Sequence, residues 1–292
     1  MKTALAIFLI VLCVFFHKFE GIFTKKYSAR YNKGGFIFTS IISFFSMLFF
    51  LLKDLIFDAK GLQFEKPLVV LGLISGFCFA LASMTMCWVL GHGPYGFTNL
   101  ISSFSVLIIT GYGLLIGETL SFLSRVGILL IVVSLCLVMP REQKNEKTKV
   151  TAKWLIVLVF STVCSATFGI LQRQQQIEFS NAFDHEFMIV TLTVSAILLF
   201  AVGVIKDGRD LKFIFRYGFL YAAGGGTANG ITNFLTLFVY TLVPISFAAP
   251  MITGMGIVIS FLIARFIFKE VYTRRQYLGV ALGCVAVVLY NI

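Results

Sequence analysis

Charge, proline and histidine are all scarce in this sequence. Charged residues make up 13% of the 292 positions, against about 25% in a soluble domain. There are five prolines and three histidines. So little charge on so apolar a chain excludes a disordered segment, a collagen-like repeat and an ordinary soluble enzyme. The histidines are His17, His92 and His185, and the chain has no H-E-x-x-H, no P-loop and no G-x-S-x-G. An enzyme is therefore not expected. The six cysteines, Cys13, Cys78, Cys87, Cys136, Cys164 and Cys284, all lie in apolar stretches and none forms a C-x-x-C pair. They are expected to be buried small hydrophobes rather than a disulfide framework or a zinc site. No metal or other cofactor is expected.

Apolar surface is what the chain has in excess. Hydrophobic residues reach 59%, phenylalanine alone contributes 33, and mean hydropathy is +0.95. The expected solvent is lipid. The net charge of +11 then marks loops facing anionic lipid, and no nucleic-acid partner is expected. Met1-Lys2 followed by Ala4 to Phe16 imitates a signal peptide, but the residues that follow are His17, Lys18, Phe19 and Glu20. A retained helix is the expectation.

Ten segments are long enough to cross a hydrocarbon core: 3–24, 36–52, 67–90, 96–116, 122–139, 154–172, 187–205, 217–240, 245–267 and 276–291. A polar linker, 140–153, separates five segments from five, giving an N-terminal repeat at 1–139 and a C-terminal repeat at 154–292. The first segment is the most informative. Its apolar run, Thr3 to Phe16, spans only about 21 Å at 1.5 Å per residue. The helix must therefore continue through His17, Lys18, Glu20 and Gly21 to about Thr24, which sets ionisable groups in or near the membrane. The alternative is an early end, with these residues at the headgroups and Lys18 snorkelling.

The halves resemble each other. GETLSFLSRVGILLIVVSLCLV (117–138) aligns without gaps on KEVYTRRQYLGVALGCVAVVLY (269–290), bringing Glu118 onto Glu270 and Gly127 onto Gly279. Gly21-Ile22 matches Gly169-Ile170, and Lys25 matches Arg173. Each half has an odd number of crossings, so the second enters from the opposite face, the inverted-repeat plan of secondary transporters. The expected fold class is an all-α integral membrane protein with ten transmembrane helices as two inverted five-helix repeats. A ten-helix chain of this length, with G-E-T-L-S-x-x-x-x-x-G after its fourth helix, resembles the EamA-type drug/metabolite transporter superfamily. Members often carry Trp before the first-helix glycine, where this chain has Glu20, and many carry mid-helix prolines in the fourth and ninth helices. Here Pro94 precedes the fourth, and Pro244 and Pro250 lie near the start of the ninth.

Spacings of three, four and seven put residues on one helix face. Cys13, His17, Glu20 and Thr24 form such a row in the first helix, and Ser161, Ser165, Phe168, Gln172 and Gln176 in the sixth. Asn229, Asn233, Thr236 and Tyr240 share a face of the eighth, next to a glycine run. Asn99, Ser102, Ser103 and Thr110 do so in the fourth, and Ser246, Pro250, Thr253 and Gly254 in the ninth. The expected substrate-binding residues are Glu20, His17, Asn99, Ser103, Ser165, Gln172, Asn229, Asn233, Tyr240 and Thr253, with Glu20 the coupling residue if transport is proton-driven. Asparagines in a membrane helix need partners, so they either bind substrate or bridge helices. Glu118 and Glu270 fall at helix ends and are expected to be structural or gating residues, paired with Arg125 or Arg274. Asp184, His185 and Glu186 read as a solvated loop rather than a metal cluster. Gly91-His92-Gly93-Pro94 reads as a turn. Four G-x-x-x-G pairs, Gly72/Gly76, Gly113/Gly117, Gly226/Gly230 and Gly279/Gly283, permit close helix contacts, read as packing within the chain, and leave the oligomeric state open.

The expected function is a secondary transporter in the plasma or inner membrane, moving a small polar metabolite or organic cation by alternating access. Its partners would be the solute, the bilayer and a coupling proton. A membrane-embedded enzyme or a non-transporting receptor is the alternative. One membrane side collects 18 of the 24 Lys and Arg and the other 6. The positive-inside rule then puts the linker in the cytoplasm and both termini outside. A reporter active only in the cytoplasm is expected to stay silent when fused to the C-terminus, and a signal there reverses the orientation.

Overall fold

The structure, a computed structural model, describes residues 2–31, 33–57, 61–118, 121–138, 151–180, 182–269 and 271–290. The linker from 140 to 150 and Glu270 lie outside the described residues. Every regular element among those described is helical. In chain order these are α1 (Lys2–Tyr31), α2 (Gly35–Phe57), α3 (Lys66–His92), α4 (Tyr95–Ser102), α5 (Ser105–Leu115), α6 (Phe122–Val138), α7 (Ala152–Glu178) and α8 (Asp184–Asp207). A 3₁₀ turn, Gly208–Asp210, the short α9 (Leu211–Phe213) and a π-helical turn, Ile214–Gly218, lead into α10 (Phe219–Leu242). The chain ends with α11 (Ile245–Phe266) and α12 (Arg274–Tyr290).

Among the described residues, six helices are long and apolar enough to cross a bilayer: α1, α2, α3, α7, α8 and α11. The helix α10 is 24 residues long, but its Gly, Thr and Asn content lowers its hydropathy. The fourth segment is broken at Ser103-Phe104 into α4 and α5.

The surface is inverted relative to a soluble protein. Leu55, Leu115, Ile205 and Leu220 are each more than 80% exposed, while Ser43, Ser46, Ser75, Ser161 and Gln175 are fully buried. Apolar residues outside and hydroxyls inside suit a hydrocarbon solvent, where internal partners replace water for polar groups.

Four expectations are corrected. The first helix runs to Tyr31 rather than to about Thr24, because Tyr27 is buried and stacks on Phe38 of α2 with ring centroids 4.0 Å apart. Lys18 therefore lies mid-helix and drops out of the loop-charge count. Asp184, His185 and Glu186 are not a loop: they open α8, where acidic residues suit the positive end of the helix dipole. His185 sits between Lys53, 2.8 Å away, and Asp54, 3.7 Å away. His92 closes α3, with its ring stacked on Trp88, so the turn is only Gly93-Pro94. Among the cysteines, Cys13, Cys87 and Cys164 are buried, but Cys136 and Cys284 are exposed on α6 and α12.

Helices of the first half pack chiefly on helices of the second. The pairs with the most extensive contact are α6 with α12, α2 with α8 and α1 with α10, followed by α2 with α10, α3 with α7 and α3 with α8. Glycines permit the closest approaches. A methyl group added at Gly226 of α10 would meet the Ile42 carbonyl oxygen of α2 at 2.5 Å, and one at Gly76 of α3 would meet the Thr191 carbonyl oxygen of α8 at 2.6 Å. The partner atoms are backbone, so they cannot rotate away. Gly283 likewise faces Ser134 of α6, whose hydroxyl donates to the Gly279 carbonyl at 2.6 Å. Gly111 of α5 has open space beside it. Gly226→Ala and Gly76→Ala are each expected to destabilise the protein by about 1–3 kcal/mol through overpacking. Gly111→Ala is expected to be neutral or to stabilise by up to about 1 kcal/mol. Thermal unfolding of the purified variants in detergent checks the contrast.

Candidate functional site

The polar row of α1 faces inward where α1 packs against α3, α10 and α11. There it borders a cavity of about 270 Å³. His17 and Glu20 enter it from α1, Ser165 and Gln172 from α7, Asn229, Asn233 and Tyr240 from α10, and Thr253 from α11. The two remaining candidates lie beside it. Asn99 borders two adjoining cavities of about 100 and 130 Å³, and Ser103 borders the second. Both smaller cavities share His17 with the large one.

A chain of side-chain hydrogen bonds crosses the cavity wall and ends at Glu20. Gln172 Nε2 donates to Asn233 Oδ1 at 3.1 Å, and Asn233 Nδ2 donates to Asn229 Oδ1 at 2.9 Å. Asn229 Nδ2 then donates to Glu20 Oε2 at 3.0 Å. The Ser46 hydroxyl of α2 reaches both Asn229 Oδ1, at 2.9 Å, and the Gly226 carbonyl, at 2.7 Å. An ionised carboxylate only accepts, so Asn229 must turn its amide nitrogen toward Glu20. Its oxygen is then left for Asn233 and Ser46, and Asn233 in turn offers its oxygen to Gln172. Four helices are tied into one polarised network. His17 Nδ1 lies 3.8 Å from the same Glu20 oxygen.

The rest of the first-helix row is also engaged. The Cys13 sulfur lies 3.2 Å from the Thr236 hydroxyl. On α7, the Ser161 hydroxyl donates to the Ala82 carbonyl at 3.1 Å and Gln176 Nε2 to the Leu237 carbonyl at 2.8 Å, so these two bridge helices rather than face the cavity.

Sequence reasoning missed three residues here. Lys18 is 7% exposed and donates to Asn99 Oδ1 at 3.1 Å, so it does not snorkel to the headgroups. The signal was its place two residues before Glu20 in a helix that had to continue. Ser46 closes a row of Thr39, Ser43 and Ser46 on α2, at spacings of four and three. Lys25 donates to the carbonyls of Leu90 and Gly93, at 2.9 and 2.5 Å, and so caps the end of α3.

Glu118 pairs with Arg173 at 3.0 Å rather than with Arg125 or Arg274. Its two oxygens also accept the backbone N–H groups of Ile245, at 3.3 Å, and Ser246, at 2.8 Å, which open α11. Arg173 donates further to the Tyr240 carbonyl at 3.2 Å. One carboxylate thus joins the end of α5, the α7 helix and the α10–α11 junction, beside the Tyr240 end of the cavity. No group of three or more His, Cys, Asp or Glu side chains among the described residues could hold a metal ion.

Neither a family model nor a curated relative matches the chain. Among solved structures, a crystal structure of a protein is similar over 98% of this chain and 96% of its own length, with a TM-score of 0.69 and 12% identity. At that identity the likeness shows a shared fold alone.

Removing one member of a largely buried ion pair leaves the other charge uncompensated. Glu118→Gln and Arg173→Met are each expected to cost roughly 3 kcal/mol or more, and the double variant less than their sum. Additive losses in a thermal-unfolding cycle would show that the pair does not couple.

Proposed function

We propose that the protein is a secondary transporter of the EamA-type drug/metabolite class, with ten helices spanning the membrane as two inverted five-helix repeats. It moves a small polar solute by alternating access. The observation that carries this reading is the polar cavity at the junction of the two halves. Its walls come from α1, α3 and α5 of the first half and from α7, α10 and α11 of the second. A site between repeats is where such transporters hold their solute.

The packing pattern supports the repeat. Exchanging α1 with α7, α2 with α8, α3 with α10, the α4–α5 pair with α11, and α6 with α12 turns the α1–α10 contact into α7–α3 and the α2–α10 contact into α8–α3. The α2–α8 and α6–α12 contacts map onto themselves. Lys25 and Arg173, matched by the alignment, both act at helix junctions. The Glu118–Arg173 pair ties together α5, α7 and the start of α11 at one end of the cavity, as a closed gate would. Rocking one repeat against the other would open it.

Glu20 is the coupling group in this reading. It is the one cavity carboxylate among the described residues, its partner Asn229 belongs to the other half, and a proton on it would reverse a donor–acceptor choice that the whole amide chain depends on. The test is uptake into proteoliposomes of a solute that the wild type carries, with and without a pH gradient, for wild type and Glu20→Gln. The gradient is expected to accelerate the wild type severalfold and to leave the variant unchanged. Equal rates in all four arms would remove Glu20 from the mechanism. A metabolite pool from which nothing exchanges would overturn transport itself.

A further inference from the structure

We propose that Lys18 forms a carboxylate-binding subsite, so that the solute entering the cavity is a small organic monoacid. The inference rests on the transport reading for what becomes of the solute, and on geometry for where it binds.

An ammonium group has three donors. Lys18 is buried at mid-helix, and its hydrogen bond runs to Asn99 Oδ1. Asn99 is held for this role, since its Nδ2 donates to the Tyr95 carbonyl at 2.9 Å. Among the described residues, no carboxylate oxygen comes within 4.0 Å of the Lys18 nitrogen. Glu20 makes no contact pair with it, because two residues along a helix is a turn of about 200°, and its carboxylate is held toward α10 by Asn229. A lysine charge in this setting is costly unless an anion joins it.

The space for that anion is the cavity of about 130 Å³ between α1, the α4–α5 break and α11. Its described lining contains no acidic side chain. Ser103 is occupied by the Asn99 carbonyl, to which its hydroxyl donates at 2.8 Å. Ser102 is different: its hydroxyl is shielded from solvent and makes no hydrogen bond. Opposite, Gly256 leaves the Lys18 end uncrowded: an added methyl would reach its Cε and Nζ at 3.6 Å, an ordinary contact distance.

The unfilled groups are the ammonium hydrogens of Lys18, which only donate, and the hydroxyl of Ser102, which can donate. A carboxylate accepts from both, whereas a cationic solute would face a like charge. One ammonium matches one negative charge, which favours a carboxylate over a phosphate dianion. The remainder of the acid extends into the large cavity, which shares His17, Ser105, Ile252 and Thr253 with the small one. Phe79, Ile109 and Phe168 there offer an apolar wall for its body.

The test uses the full chain purified in detergent. Straight-chain monocarboxylates from acetate to hexanoate are each compared with the matching primary amide, by thermal shift and by calorimetric titration. At least one carboxylate is expected to stabilise the protein while its amide does not. Lys18→Met is expected to weaken that carboxylate about tenfold or more, the loss of a charge-assisted bond. Ser102→Ala removes a hydroxyl with no partner in the empty protein, so its unfolding temperature should hold while carboxylate affinity falls about threefold or more. The Ser102 variant keeps the test decisive if Lys18→Met fails to fold. Three results overturn the subsite: no carboxylate in the series binds, amides bind as well as acids, or Ser102→Ala binds like the wild type. A carboxylate that binds with this pattern but does not cross proteoliposomes overturns transport and leaves the subsite standing.

Discussion

A carboxylate that can only accept hydrogen bonds, held inside an apolar helix bundle, sets the polarity of everything around it. Glu20 decides which way Asn229 faces, Asn229 decides Asn233, and Asn233 decides Gln172. Three helices meet on this chain, with Ser46 adding a fourth, and none of its amide groups can turn over without breaking a bond. The site is thus a single cooperative unit rather than a set of polar residues that share a hole.

The second constraint lies at the end of the bundle. Helix α11 begins with backbone N–H groups that need acceptors, and Glu118 supplies both while pairing with Arg173. The same group that caps one helix therefore ties two others to it. Lys25 performs the opposite service at the end of α3, donating to carbonyls that the helix leaves open. These two helix ends are closed by charges from elsewhere in the chain.

Much of this was legible in the sequence. A 14-residue apolar run too short to cross a membrane forced the first helix onward through Glu20, and residue spacing put Glu20, Gln172, Asn229 and Asn233 on inward faces. What periodicity could not supply was the choice of partner across helices. Glu118 was matched to arginines on the basis of chain symmetry, yet Arg173 lies closer in space because α7 packs against α5. Lys18 was invisible for a different reason. A lysine two residues from a carboxylate reads equally as a snorkelling side chain or a buried one, and only the continuation of α1 to Tyr31 distinguishes them. Ser46 was lost among Phe44, Phe45, Met47, Phe49 and Phe50, which dominate its stretch of α2, although Thr39 and Ser43 mark its face.

The pairing of each helix with one from the other half also bears on how the chain is made. Synthesis proceeds from the N-terminus, so Glu20 enters its surroundings long before Asn229, 209 residues later, exists to receive it. The first five segments carry polar faces, Ser46 and Ser43 among them, whose partners on α8 and α10 have yet to be translated. A half-made chain must therefore keep its charged first helix close to water or to a chaperoning surface until the second half arrives. Assembly of this fold is a closing step, in which the late helices complete the early ones.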